Sequence, residues 1–123
     1  MKMLMALLTV LAMGMTAVRA DESVIDATDL TALRAKAGTN VAVEGRVTEI
    51  GTTQDGGITF INVGMPRKQG FVAVIFRDHY QAFPDGFDKY REKKVRVSGV
   101  LTLYRGETPQ IKLTSPEQIA IVE

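Results

Sequence analysis

Cysteine and tryptophan are both absent from the 123 residues, and there is one histidine. Without cysteine the chain has no disulfide framework, thiol nucleophile, thiolate zinc site or iron–sulfur cluster. A single imidazole excludes a multi-histidine metal centre. No Gly-x-Ser-x-Gly elbow, phosphate-binding loop or metal-spaced cluster occurs, so neither a cofactor nor a metal is expected. A charge excess of one sign is missing too: 15 basic side chains against 14 acidic ones leave +1. These absences remove most enzyme classes and make a binding protein the expectation. The length supports one small domain, large enough to bury a core without staples.

What is present begins with residues 1–20, MKMLMALLTVLAMGMTAVRA. Lys2 gives a positive start, Leu4 to Met13 is apolar apart from Thr9, and Val18 and Ala20 are small residues three and one before a cut. That is the layout of a secretory signal peptide cleaved after Ala20, with the periplasm or the exterior as destination. The rival, a membrane anchor, needs about 20 apolar residues, and this run is shorter and ends at Arg19. No stable membrane insertion is expected after cleavage. Five of the six methionines lie in the leader. Lys2 and Arg19 leave with it, so 13 basic side chains then face 14 acidic ones, a charge of −1. Asp21, Glu22, Asp26 and Asp29 crowd the new start and Glu123 ends the chain; residues 30–122 hold 13 basic and 9 acidic groups, or +4. A mildly basic body behind an acidic lead-in (21–37) keeps an anionic partner open.

Along the chain, Asp26 and Asp29 offer capping side chains before Leu30, Leu33 and Ala37, which share a helical face, and Gly38 follows as a stop. A short helix is predicted over 29–37. The period then changes to two. Val41, Val43, Gly45 and Val47 alternate with Ala42, Glu44, Arg46 and Thr48 as a half-buried strand, with Gly45 as a bulge or bend. Asp55-Gly56-Gly57 is a turn signal. Second and third strands are predicted over 58–63 and 71–76, the third apolar on both faces and therefore central. Residues 77–92 break the rhythm and should carry helix, one turn capped by Asp78 and stopped by Pro84, another capped by Asp85 and bearing Phe87 and Tyr90. Its aromatic side chains would plug the core. A fourth strand runs to Tyr104 with Gly99 midway, Arg105-Gly106-Glu107 turns the chain, and a fifth covers 109–113. A last short strand segment is expected over 118–122.

Five strands, glycines midway along the first and fourth, and a helical connection after the third predict an all-β domain over 38–123. It should be a five-stranded OB-fold Greek-key barrel with minor helix. A small β-sandwich is the rival, and it has no need of a helix at that place. The stretches Val41–Val47, Ile58–Gly64, Phe71–Phe76, Lys94–Val100 and Tyr104–Ile111 also resemble the bacterial OB-fold nucleic-acid-binding-like domains, including the tRNA-anticodon-binding type. The overall layout of leader, short helix and one barrel is similar to the small periplasmic bacterial OB-fold family. The second resemblance implies a stress or ligand-binding role without enzymatic activity, and neither supplies a catalytic motif.

OB domains bind on the face of strands two and three and the loops at its rim. Single strands need rings for stacking and cations for phosphates. On that face lie Phe60 and Asn62, with Phe71 or Arg77 at the ends of the third strand; Phe60 is read more readily as core, and Asn62 as marking a wet face or a bulge. Arg67 and Lys68, in a glycine-bounded loop, would contact an anion or be a solvated loop tip. Lys89, Arg91, Lys93, Lys94 and Arg96 form the densest basic stretch, either a nucleic-acid footprint or a charged run entering an edge strand. Tyr104 can stack on a base, Arg105 pair with an anion and Gln110 read a polar edge; the alternative has Tyr104 closing the barrel end. His79 beside Asp78, and Asp85 with Asp88, are better explained by caps and turns than by acid–base or metal chemistry. The expectation is an exported, non-enzymatic module for single-stranded DNA or RNA. The alternative is an envelope protein that binds a small ligand, a cation or another protein.

Overall fold

The computed structural model describes residues 24–66 and 69–122, so the leader and the Arg67-Lys68 pair lie outside the described residues. The chain is mostly β. Strand β1 (Val24–Asp26) precedes helix α1 (Leu30–Ala35), then come β2 (Asn40–Thr52), β3 (Ile58–Val63), β4 (Phe71–Phe76), β5 (Lys94–Tyr104), β6 (Thr108–Lys112) and β7 (Ile119–Ile121). Among the described residues no helix is long and apolar enough to cross a membrane.

The long strand β2 serves two partners. Its first half pairs antiparallel with β5, from Asn40↔Val100 to Arg46↔Lys94, and its second half pairs antiparallel with β3. From there β3 pairs with β4, β4 runs parallel to β6, and β6 pairs antiparallel with β5. Among the described residues the sheet has seven strands: the five expected for the barrel, the expected last segment as β7, and β1, which was not expected. β1 adds in parallel to β2, and β7 adds antiparallel to β5. β1 was hidden because Val24 and Ile25 are an apolar pair among four acids; half-buried Ile25 packs on the core and the backbone of β2 supplies the partner groups.

Period-two alternation selects the core. Ile61 and Val63 of β3, Phe71, Ala73 and Ile75 of β4, and Val95, Val97 and Leu101 of β5 all point into it with Val43, Ile111 and Leu113. β4 is hydrogen-bonded on both sides, as its two apolar faces imply. Helix α1 is shorter than its sequence pattern. The Asp29 carboxylate caps it by accepting from the Ala32 amide at 3.1 Å, Leu33 is its fully buried anchor, and Gly38 takes φ +88° after its end.

Two local expectations are corrected. The register shift in β2 falls between Val47 and Glu49, not at Gly45. Gly45 is instead a close approach, where a Cβ would stand 2.8 Å from Ala27 Cβ and 3.0 Å from Val63 Cγ1. The connection between β4 and β5 holds no α-helix, but two 3₁₀ turns at Arg77–Ala82 and Asp88–Tyr90. Neither Asp78 nor Asp85 caps them; Phe76 and Phe87 occupy the cap positions without a side-chain bond. Pro84, which has no amide hydrogen to donate, and Gly86 at φ +73° separate the two turns. Its aromatics do fill the core's open side: Phe83 and Tyr90 are buried, with Phe87 packed against Phe83 at 5.1 Å and edge-on to Tyr80 at 6.3 Å.

Candidate nucleic-acid interface

Outward-facing positions of the sheet follow from the registers. One row runs Glu49, Asn62, Val72, Gln110, Thr102 across β2, β3, β4, β6 and β5. The next runs Gly51, Phe60, Val74, Lys112. The face of β3 and β4 singled out from sequence is therefore real, but its residues are already engaged. Asn62 is fully buried, and its amide donates to the Glu49 carboxylate at 3.0 Å beside the shifted register of β2, which is the bulge reading rather than a wet face. Phe60 stands outside the core cluster, so the core reading is corrected. Its ring lies over the opposite Gly51, where a Cβ would come within 2.8 Å of two ring carbons. Only glycine leaves room for the ring there.

Arg77 is also committed to structure. Its guanidinium donates to the Asp55 carbonyl at 2.7 Å and its amide to the Gly57 carbonyl at 2.8 Å. Tyr80 holds the same β2–β3 loop, donating to the Gly56 carbonyl and accepting from Thr59. Within that loop the Asp55 carboxyl is held below its usual range, first by the Gly57 amide, then by the Thr53 hydroxyl and less by Arg77. The basic stretch is dispersed in a similar way. Arg91 pairs with Asp88 at 3.0 Å, while Arg96 and Lys94 converge on Glu44 at 2.6 and 3.9 Å. Its edge-strand reading is corrected, because Val95 to Val97 are flanked by β2 and β7. His79 is half-buried, and its Nδ1 has no hydrogen-bond partner.

The open surface lies one step round the sheet, on β4, β6 and β5. A groove of about 680 Å³ is lined by Phe76, Val100, Thr102, Gln110 and Lys112, with Gln118 at one side. Gln118 is fixed there by donating to the Ser98 and Lys112 carbonyls at 3.0 and 3.1 Å. Phe76 is 37% exposed and Val100 51%. Lys112 places its ammonium 5.1 Å from the centre of the Phe76 ring. The Gln110 side-chain carboxamide makes no hydrogen bond within the described residues, and the residue is half-exposed on the groove floor.

Beyond Thr102, on the same side of β5, stands Tyr104, 51% exposed and so not a plug of the core. The Arg105 guanidinium lies 5.2 Å from its ring centre. The turn that carries them closes with the Glu107 amide donating to the Tyr104 carbonyl at 3.0 Å, and Arg34 of α1 holds it by donating to the Glu107 carbonyl at 3.2 Å. Arg105 takes φ +55°, a left-handed conformation that a side chain disfavours and glycine does not. Of the sequence candidates, then, Tyr104, Arg105 and Gln110 share one surface, whereas Phe60, Asn62 and Arg77 do not join it. Phe76, Val100, Thr102 and Lys112 were missed. The signal for Lys112 was its place two residues after Gln110, on the same face of β6, but its neighbour Phe76 follows only from the parallel pairing of β4 with β6.

No family model matches the chain, and no curated protein matches it. Among solved structures it is similar to an aspartyl-tRNA synthetase from Entamoeba histolytica, with 17% identity and a TM-score of 0.52. That likeness covers 78% of this chain and 21% of the synthetase. A protein designated an aspartyl-tRNA synthetase from Leishmania major Friedlin is similar at 13% identity and a TM-score of 0.53, over 81% of this chain and 20% of that one. The chain thus spans about a fifth of the length of these proteins, and the likeness is one of fold.

Proposed function

We propose that β2 to β6 form an OB-type barrel and that the chain is an exported, non-enzymatic module that binds single-stranded nucleic acid on the β4–β6–β5 surface. The barrel reading is supported by pairings that lead from β2 through β3, β4, β6 and β5 back to β2. The fold likeness to proteins named for tRNA supports the ligand class. The observation that carries the proposal is the pairing of each exposed ring with a cation, Lys112 on Phe76 in the groove and Arg105 on Tyr104 beyond it on the same side of β5. Stacking surfaces and phosphate-pairing cations are the two things an unpaired strand requires. A base takes the ring face and the displaced cation turns to the adjoining phosphate, while Gln110 and Thr102 face base edges. Arg105 keeps a side chain where glycine would be easier, which fits selection for the guanidinium.

The test is a titration of the full chain with labelled single-stranded DNA and RNA at two salt concentrations. Binding should weaken as salt rises, by counterion release. The exposed Val100 favours the second reading, an envelope protein that uses the same groove for a protein partner. Affinity insensitive to salt would support that reading and overturn the first.

A further inference from the structure

The two cation-capped rings stand at opposite ends of one surface, and the strand registers give their separation. Val74 is level with Lys112 on β6, so Phe76, two residues on in a parallel strand, is level with Thr114. Tyr104 pairs with Thr108. Thr108 and Thr114 are six residues apart on one strand line, which at about 3.3 Å per residue is roughly 20 Å. Crossing from β4 over β6 to β5 adds two strand spacings of about 4.8 Å, for a diagonal of roughly 22 Å. One nucleotide cannot touch both rings. A stacked strand advancing about 3.4 Å per nucleotide takes between about six and about seven steps, so about seven nucleotides, to reach from one to the other, and a more extended strand needs fewer.

We propose that Phe76–Lys112 and Tyr104–Arg105 are two anchors for one strand, so that the ligand class is a single strand of about five nucleotides or more rather than a mononucleotide or dinucleotide. The inference rests on the nucleic-acid reading above. Its physical basis is effective concentration: once one base is held at Tyr104, a base near Phe76 is presented to its ring at millimolar level or above, but only if the strand is long enough to span the groove. Val100, Thr102 and Gln110 form the floor between the anchors and include no cation, so the middle nucleotides contribute mainly reach.

The experiment is an anisotropy titration of the full chain with labelled oligothymidylates from about two to about twelve nucleotides, at one fixed salt concentration. Affinity should rise at least about tenfold between about three and about seven nucleotides, then change little per added residue. Phe76→Ala and Tyr104→Ala should each lower long-strand affinity about tenfold, yet short-strand affinity at most about twofold, because a short strand can use the anchor that remains. Lys112→Met and Arg105→Ala, which keep both rings, should weaken the same step in the same order. A smooth rise with length, or variants that weaken short and long strands equally, overturns the two-anchor inference and leaves the nucleic-acid reading standing. No binding at any length overturns both.

Discussion

Replacing Arg105 by alanine and by glycine separates its conformational cost from its chemistry. With φ at +55°, any Cβ at this position is strained. The left-handed conformation costs roughly 1–2 kcal/mol for an L-residue, offset by about 0.5–1 kcal/mol for the extra unfolded-chain freedom of glycine. Both variants lose the guanidinium and its contact with Tyr104, and only glycine releases the strain. Arg105→Gly should therefore be more stable than Arg105→Ala by about 1 kcal/mol, or about 4 °C in melting temperature for a chain of this size. In binding the two should be alike. Under the proposed function each removes one phosphate contact, so the slope of log affinity against log salt should flatten by about 0.7, corresponding to about fivefold weaker binding at 0.1 M salt. Calorimetry reads the first quantity and anisotropy across a salt series the second. Equal melting temperatures would refute the strain, and an unchanged slope would remove Arg105 from the interface.

Three further outcomes test the fold around the site. Leu33→Ala empties the fully buried anchor of α1 and should cost about 2–5 kcal/mol in urea unfolding; a loss below that range would mean the helix contributes little to the core. Gly45→Ala forces a methyl against Ala27 and Val63 and should destabilise by about 1–3 kcal/mol; a neutral result would show that the two elements can part. Asp55 should titrate below the usual carboxylate value by carboxyl NMR, with its stabilising bonds in place above the unfolded value and lost as pH falls through the lowered one. Thr53→Val should move it back upward more than Arg77→Ala does, because the Thr53 bond is the stronger cause. The reverse order would contradict the assignment.

Strand positions were legible because burial enforces alternation. The apolar run Phe71–Phe76 and the alternating run from Val41 define β4 and the start of β2 with no knowledge of their partners. The Asp29 cap and the Arg105-Gly106 turn were legible for the same reason, since their chemistry is local. What escaped depends on partners distant in sequence. β1 has too few apolar residues to announce itself and exists through β2. Phe60 read as core because a phenylalanine in an apolar strand usually is, but its register opposite Gly51 turns it onto the outer surface. The candidate site was half legible: Tyr104, Arg105 and Gln110 are close in sequence, whereas Phe76 joins Lys112 only across a parallel pair. The 3₁₀ turns at 77–82 and 88–90 are capped at Phe76 and Phe87, without side-chain bonds, so neither Asp78 nor Asp85 takes its expected role.

The double partnership of β2 also sets the order in which this molecule can assemble. Its second half reaches β3 across the short turn at Asp55, and β3 reaches β4 through another near neighbour, so these contacts close small loops. Its first half waits for β5, with residues 40 and 100 brought together across the intervening chain. Loop-closure entropy delays such contacts, and their late formation governs the rate of folds rich in them. Amides at Ile61 and Ala73 should therefore gain protection before those at Val43 and Val97 in pulsed hydrogen exchange during refolding. Simultaneous protection would show that β2 forms as one unit. β5 and β6 join locally through the Arg105–Glu107 turn, but Phe76 meets Lys112 only when β4 pairs with β6, another long loop to close, so the groove is completed late in assembly.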